Sequence, residues 1–518
     1  DPAPRTMLIE NLFTNLINLL TKQWRIFLIV TILILLYFHY TSTFDYFKKR
    51  NIVYLTPKIL IGSLGPRVFL KKSFHEFQLD LYNSFTGLPY GGTFEGRNPV
   101  LLIRDPELIK MVAVRDFDHF TDRNTLKSRE PQYVKRQLLN LTGEEWRGVR
   151  GILSPSFSPS RIRRMMPLIQ HCSTQMIHLM RRHDGSDVEM KDFLGHFTLE
   201  VIGACAFGIK CDVLAKGNSN FVKVADKFNY MSLWKRMIFF TIILLIPEAS
   251  KFLTFSFFNP DSVEQLLQIL TANKKERRSG EYKPDFLQLM IDASDDERNE
   301  LTNKKGKIHL DDATIDAQSL LFLLAGYETS STLLSFAVHV LATHIHIQDM
   351  LRAHIEHVTD GNDVTYEMLA ELNYLDQFLL ETLRLYPPVS RLDRLCTKDY
   401  TLPGTDIVIN TGDIVSIPIY GVHMDPAIYQ EPHKFRPERF SNKEMKNRPS
   451  HLFLGFGTGP RHCIGQRFAF ISAKLAVIAL MRNFEFSACP RTVEPVTYDK
   501  RSFLLKSATG LWVHVKAL

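Results

Sequence analysis

No two of the six cysteines, Cys172, Cys205, Cys211, Cys396, Cys463 and Cys489, form a CxxC pair, and no short spacing between them repeats. That excludes a zinc ribbon and a disulfide framework, and fits a fold that faces a reducing compartment. The chain also lacks a dense Lys/Arg stripe interleaved with aromatics, which argues against nucleic acid as a partner. Charge of one sign is in short supply. The 63 basic residues stand against 55 acidic ones, for a formal +8 over 518 residues. So small an excess suits contact with anionic lipid or an acidic protein, and equally an ordinary solvated surface. Beyond Arg50 there is no low-complexity linker and no internal repeat, so the remainder reads as one body. What is plentiful is apolar: 45% hydrophobic against 23% charged residues is a globular balance that can bury a sizeable core.

From Ile26 to Phe38 the chain runs IFLIVTILILLYF, with Trp24 before it and Tyr37, Phe38 and Tyr40 at its far end as interface aromatics. This is an anchor candidate, and it must borrow residues at its ends to reach the roughly 20 that span a bilayer. The rival is a cleaved signal peptide, but no A-x-A-like site follows. Lys48, Lys49 and Arg50 follow the run and Arg5, Lys22 and Arg25 precede it, so basic residues set no clean orientation. Leu8, Leu12, Leu16 and Leu20, with Ile9, Phe13 and Ile17 beside them, suggest a helix lying along the membrane surface. Met7 is a candidate start, with Asp1–Thr6 as an upstream extension.

Helical periodicity dominates the rest, notably Ala313–Thr343 and Ile464–Arg482. Strand-like runs such as Ile407–Val408 and Leu511–Val515 are few and brief. The expected class is mainly α with small β-sheets. The polar stretches Lys274–Lys283 and Asp295–Lys307 read as solvated connectors. Met237–Ile246 (MIFFTIILLI) is too short to cross a bilayer and reads as a buried helix or a membrane-dipping surface.

The most informative stretch is Phe456-Gly457-Thr458-Gly459-Pro460-Arg461-His462-Cys463-Ile464-Gly465. A cysteine that ligates iron must be deprotonated, and a helix start with cations nearby lowers a thiol pKa; Cys463 has both. Gly459 and Gly465 permit positive φ and a close approach to a flat cofactor, Phe456 offers a ring to pack on it, and Arg461 can reach a carboxylate. A phosphate loop is excluded, because the final glycine of GxGxxG and a following Lys-Ser/Thr are missing. A lone cysteine is more often an inert core residue. The pattern F-x-x-G-x-R-x-C-x-G, however, arises by chance in roughly one window in several million. It is the haem-binding signature of the cytochrome P-450 superfamily, which the chain resembles throughout.

The resemblance implies a cytochrome P-450 fold with haem b (iron protoporphyrin IX) held through Cys463. It implies residues 1–50 as amphipathic segment and membrane anchor, and 51–518 as the haem-thiolate catalytic domain. Ala325-Gly326-Tyr327-Glu328-Thr329 lies within the long apolar helix, with Ala325, Gly326 and Thr329 sharing a face that would leave room for a diatomic ligand. The bland alternative is a bend at Gly326 with Thr329 bonding back to its own turn. By resemblance this is the oxygen-binding helix, with Thr329 supporting proton delivery and Glu328 helping to relay protons. Glu381 and Arg384, with Arg439 from Pro437-Glu438-Arg439-Phe440, match the family's structural brace for the cysteine loop. Trp146 and Arg150 match its W-x-x-x-R pair addressing a haem propionate, with Arg123 and Arg394 as further propionate partners. His344 and His346 point to different helix faces and carry no carboxylate cluster, against a metal site.

AGYETSS, NYLDQFLLETLRLYPPVSRL, DYTLPG and FRPERF look most like animal microsomal members, particularly insect enzymes that oxidise foreign compounds. Thr458 and His462 depart from the Glu and Asn more usual there, which bears on redox tuning, and the proline-rich hinge after the anchor is reduced to Pro57 and Pro66. The implied reaction inserts one oxygen atom from O2 into a lipophilic small molecule. Electrons would come from NADPH through NADPH–cytochrome P-450 reductase, with cytochrome b5 as a second donor. The expected location is the endoplasmic reticulum membrane, with the catalytic domain cytosolic. Phe117, Phe322, Ala325, Val389 and Ser390 are candidate pocket residues, and Lys135, Arg136 and Arg147 a candidate reductase face. A reductase-independent haem-thiolate isomerase or dehydratase, and a haem-binding sensor, are the rival readings; neither needs both Glu328 and Thr329.

Overall fold

The computed structural model of the chain describes residues 3–125, 131–209, 242, 259–280, 283, 285–300 and 310–518. Among these residues eleven longer helices surround small sheets. They are α1 (Ala3–Thr41), α2 (Phe74–Asn83), α3 (Gly143–Leu153), α4 (Pro159–Met180), α5 (Met190–Phe207), α6 (Pro260–Arg278), α7 (Phe286–Glu300), α8 (Asp312–Thr343), α9 (Ile345–Thr359), α10 (Asn373–Leu385) and α11 (Gln466–Asn483). The mainly helical class with small sheets is what the sequence led one to expect. Met237–Ile246 lies outside the described residues save Ile242.

α1 has no proline past its first turn and no glycine, so nothing breaks it over 39 residues, about 58 Å of rise. The expected surface-lying helix and the anchor are therefore one continuous helix. Its portion Thr21–Thr41 is long and apolar enough to cross a membrane. Trp24 is 72% exposed, whereas Tyr40, expected among the interface aromatics, is only 6% exposed and packs into the protein body. The end of α1 is fastened there. The Arg97 guanidinium lies 2.7 Å from His39 Nε2 and donates to Ser42 Oγ at 3.2 Å.

Four strands, β1 (Tyr90–Glu95), β2 (Asn98–Ile103), β4 (Leu392–Leu395) and β5 (Ile414–Ile417), form a sheet in the order β1-β2-β5-β4. β2 and β5 are parallel with Val100 opposite Ile414, and β4 and β5 are antiparallel with Arg394 opposite Val415. A second sheet joins β3 (Ser186–Glu189), β7 (Trp512–Ala517) and β6 (Phe484–Ser487).

α8 is the spine. Asp311 caps it by accepting the Thr314 N–H at 2.9 Å, and the twelve residues Ser331–Ala342 are buried on every side, which marks a core helix. It packs on α5, α10 and α11. The stretch beginning at Lys274 is not a solvated connector. Lys274 to Arg278 complete α6, with Lys274 Nζ buried 2.6 Å from Asp316 and Arg277 2.6 Å from Asp285. These cations are turned inward because carboxylates on neighbouring elements await them. Likewise Asp295–Glu300 are helical within α7, and 301–309 lie outside the described residues.

Candidate active site

The loop before α11 is built by its own backbone. Gly457 N–H donates to Leu454 O at 2.9 Å, His462 N–H to Gly459 O at 2.9 Å and Cys463 N–H to Phe456 O at 2.8 Å. Gly457 and Gly459 take φ of +73° and +72°, and a Cβ on Gly459 would fall 1.7 Å from the Ala113 carbonyl oxygen. Gly459 is thus dictated by the backbone of the neighbouring helical turn Met111–Arg115. Gly465, which could take positive φ, has φ −89°, and a Cβ there would meet only Phe157 Cε1 at 3.6 Å. The Phe456 ring packs on Phe470, centroids 6.0 Å apart.

Cys463 is accessible, yet protein walls it on most sides. Burial pushes its thiol up, against the opposing pull of the Gly465 N–H and of Arg150 and Arg123. The helix start and the cations lower it as expected, and desolvation outweighs them. A cation seated at the sulfur would reverse that balance, since a coordinated thiol is deprotonated outright.

Next to the loop four guanidiniums gather. Leu395 N–H donates to Asp122 O at 2.8 Å, and this bridge sets Arg123 beside Arg394 of β4. Arg123 donates to Arg461 O at 3.2 Å and Arg150 to His462 O at 2.9 Å. Arg394 is buried with Nη1 on Asp393 O at 2.9 Å and Nε unpartnered. Burial and then mutual repulsion push Arg123 down to about 10, and Arg394 and Arg461 to about 9. The nearby carboxylate of Asp393 is engaged by Arg391 at 2.9 Å. Surplus positive charge with an orphaned N–H is the donor set that a molecule carrying two carboxylates would satisfy, so these residues fit haem b and its propionates. Arg461 differs from expectation. Its guanidinium donates to the carbonyls of Thr121, Leu138 and Leu141 at 2.9, 3.4 and 2.8 Å, lies 3.8 Å from Asp122 and covers the Trp146 ring at 4.0 Å. It ties the loop down, with Trp146 buried beneath it, because those main-chain acceptors surround it first.

On α8, Ala325 is exposed and its neighbours Leu324 and Gly326–Ser330 are only half-buried, which leaves space beside it. Gly326 does not enlarge that space, since a Cβ on it would meet Ile202 Cδ1 of α5 at 2.9 Å. It serves helix packing. Thr329 Oγ1 donates to Ala325 O at 2.5 Å, so its hydroxyl is turned into its own helix, as in the bland alternative. The Glu328 carboxylate lies 3.3 Å from Lys191 Nζ on α5, a partner no local sequence signal announced.

The brace is fully buried. Arg384 holds Glu381 through two bonds of 2.7 and 2.8 Å, and Arg439 reaches the same carboxylate at 3.2 Å. Of the pocket candidates, Phe322 packs on Phe286, centroids 4.4 Å apart, Phe117 packs on Trp146 at 5.6 Å, Ser390 is buried and Val389 is exposed. Arg136 is spent on Asp311, and Arg147 pairs with Asp118 and Glu144; Lys135 is exposed.

A family model described as Cytochrome P450 matches residues 55–513. Cytochrome P450 9e2 of Blattella germanica is 37% identical over 94% of the chain and 96% of that protein. Cytochrome P450 6a8 of Drosophila melanogaster is 34% identical over 94% and 98%. Cytochrome P450 3A5 of Homo sapiens is 35% identical over 94% and 95%.

Proposed function

The chain belongs to the cytochrome P450 family and is a haem-thiolate monooxygenase, and from that premise we propose that it oxidises lipophilic small molecules, either xenobiotics such as plant toxins and insecticides or endogenous lipids and hormones. In this reading NADPH–cytochrome P450 reductase is the electron donor, with cytochrome b5 as a second. The protein works from the endoplasmic reticulum membrane, anchored by residues 1–50, with residues 51–518 as the cytosolic catalytic domain. The observation that carries the reading is the accessible Cys463 set among buried, mutually repelling arginines.

When bound, haem b supplies the oxidising chemistry: O2, two electrons and two protons yield one oxygen atom inserted into the substrate and one water. The chain's own residues do the rest. Cys463 would be the iron ligand, and Arg123 and Arg394, with Arg150 and Trp146, would receive the propionates. Arg461, Phe456 and Gly465 shape the loop that carries Cys463. Ala325 leaves room for oxygen, with Gly326 letting α5 pack closely behind. Thr329 and Glu328 hold and pass protons, and Glu381, Arg384 and Arg439 fix the loop. Phe117, Phe322, Val389 and Ser390 border the substrate space, the first three keeping it apolar and the buried Ser390 hydroxyl adding one polar point.

The test is the difference spectrum of the reduced protein with carbon monoxide, wild type against Cys463→Ala. A red-shifted thiolate band that the variant lacks is the expected result. Haem uptake by wild type without that band overturns the ligand assignment and favours the sensor reading.

A further inference from the structure

Lys191 stands in the first turn of α5 and puts its ammonium into one turn of α8. Nζ donates to Glu328 O at 2.9 Å, to Ser331 Oγ at 2.7 Å and to Thr332 Oγ1 at 2.8 Å, and it lies 3.3 Å from Glu328 Oε1. Both partners are largely enclosed, with side chains 16% and 22% exposed. Thr198, farther along α5, donates to Tyr327 O at 3.1 Å, and between the two Gly195 is bare, a Cβ there lying 3.3 Å from the Tyr327 ring. Two side chains of α5 therefore hold consecutive carbonyls of α8, immediately before Thr329.

A lysine needs one acceptor to be tolerated in a helix contact; this one finds four, and one of them is the carboxylate assigned to proton relay. Burial lowers the Lys191 pKa, opposed first by Glu328, while Lys506 and Glu189 are the other charges that act on it. A largely enclosed carboxylate without its cation would lose the charge that pairs and orients it. A carboxylate 100° around the helix from Thr329 has to be aimed, and the ammonium fixes its direction. We infer that Lys191 is a positioning residue for Glu328, holding the carboxylate and the α8 turn in the arrangement from which protons are delivered. The inference rests on the reading of Glu328 as a proton relay.

The test uses the full-length, haem-loaded protein with its reductase and an alkoxyresorufin that wild type dealkylates. It compares wild type with Lys191→Met, Lys191→Arg, Glu328→Gln and the Lys191→Met/Glu328→Gln pair. Product per NADPH, peroxide release, the solvent deuterium isotope effect, the spectral dissociation constant of the probe and the thermal midpoint are measured for each. The expected result is a several-fold loss of product per NADPH with more peroxide and a larger isotope effect in Lys191→Met. Probe affinity is expected to be retained, Lys191→Arg to recover most of the coupling, and the pair to be no worse than the worse single variant. If Lys191→Met does not take up haem, Lys191→Gln, which can still donate to Ser331 and Thr332 without charge, replaces it with the same expectation. Uncoupling by Glu328→Gln alone, with Lys191→Met merely less stable, overturns the inference and leaves the relay standing. Unchanged coupling in Glu328→Gln overturns the relay and the inference together. Multiplying losses in the pair also overturn the inference, because they mean independent roles.

Discussion

His423 Nε2 accepts the backbone N–H of Leu454 at 2.9 Å, and this bond joins the buried brace to the cysteine loop. On the other side of the ring, Nδ1 lies 3.0 Å from Arg384 O, while the Arg384 guanidinium donates to His423 O at 2.9 Å. An Nε2 that accepts leaves the proton on Nδ1, so the ring is neutral and donates to Arg384. Leu454 O in turn takes the Gly457 N–H at 2.9 Å. Glu381 and Arg384 thus reach the signature loop through one imidazole.

That ring makes the protein acid-sensitive. Burial, then the Arg384 charge, pushes His423 down to about 3, and burial pushes His75, held on Pro387 O, down to about 4. Both rings stay neutral in the fold and charge in the unfolded chain below about pH 6.5. The unfolded state then binds the extra protons, so stability falls as pH drops from 6.5 toward 4, by about 1.4 kcal/mol per pH unit for each ring. The thermal midpoint should decline over that window. In His423→Gln the decline should be shallower by one proton, though from a lower starting stability. Parallel declines would mean that His423 is already charged in the fold.

Glu381→Ala should be among the most damaging single changes, because it leaves Arg384 and Arg439 buried without their carboxylate and frees the Arg436 N–H that donates to it at 2.9 Å. Breaking a buried pair in this way costs about 3–5 kcal/mol. Glu367→Ala, which removes the exposed partner of Arg163, should cost under about 1 kcal/mol. Thermal midpoints of the two variants decide it, and comparable losses would contradict the buried-brace account.

Much of this was legible in the sequence where the signal is local. The run Ala313–Thr343 anticipated α8 to within one residue at its start, because apolar periodicity is written in consecutive residues. The cysteine loop was legible for the same reason. What could not be read were partners distant in the chain. Lys274 looked like a solvated charge because Asp316 comes 42 residues later. Gly326 looked like an opening because nothing near it announces Ile202, and Lys191 and His423 carry no motif at all. The direction of the Cys463 shift sums burial from the whole surrounding body, whereas the helix start and the arginines that oppose it are nearby features.

Gly459 and Gly404 make a controlled comparison. Both have positive φ, +72° and +75°, so alanine strains either by roughly 1–2 kcal/mol. A Cβ at Gly404 meets nothing within 4 Å, whereas at Gly459 it would collide with the Ala113 carbonyl at 1.7 Å. Gly459→Ala should displace the signature loop and lower haem content and the thermal midpoint. Gly404→Ala should lower only the midpoint, and modestly. Full haem content in Gly459→Ala would show that the loop yields.

Thr329 offers the sharpest test of the reaction itself, because its hydroxyl is committed to Ala325 O at 2.5 Å. A hydroxyl that donates into its own helix still has lone pairs with which to accept a proton-bearing water, so it can organise delivery without turning. Thr329→Ala removes that acceptor, and it also releases the Ala325 carbonyl from its second hydrogen bond, which changes the helix by no more than about 1 kcal/mol. Electron consumption should therefore continue while product formation falls several-fold and peroxide rises, with the thermal midpoint nearly unchanged. Thr329→Ser, which keeps the hydroxyl, should retain most of the coupling. If Thr329→Ala couples as well as wild type, the hydroxyl serves only the helix turn, and proton delivery must be assigned to Glu328 without it.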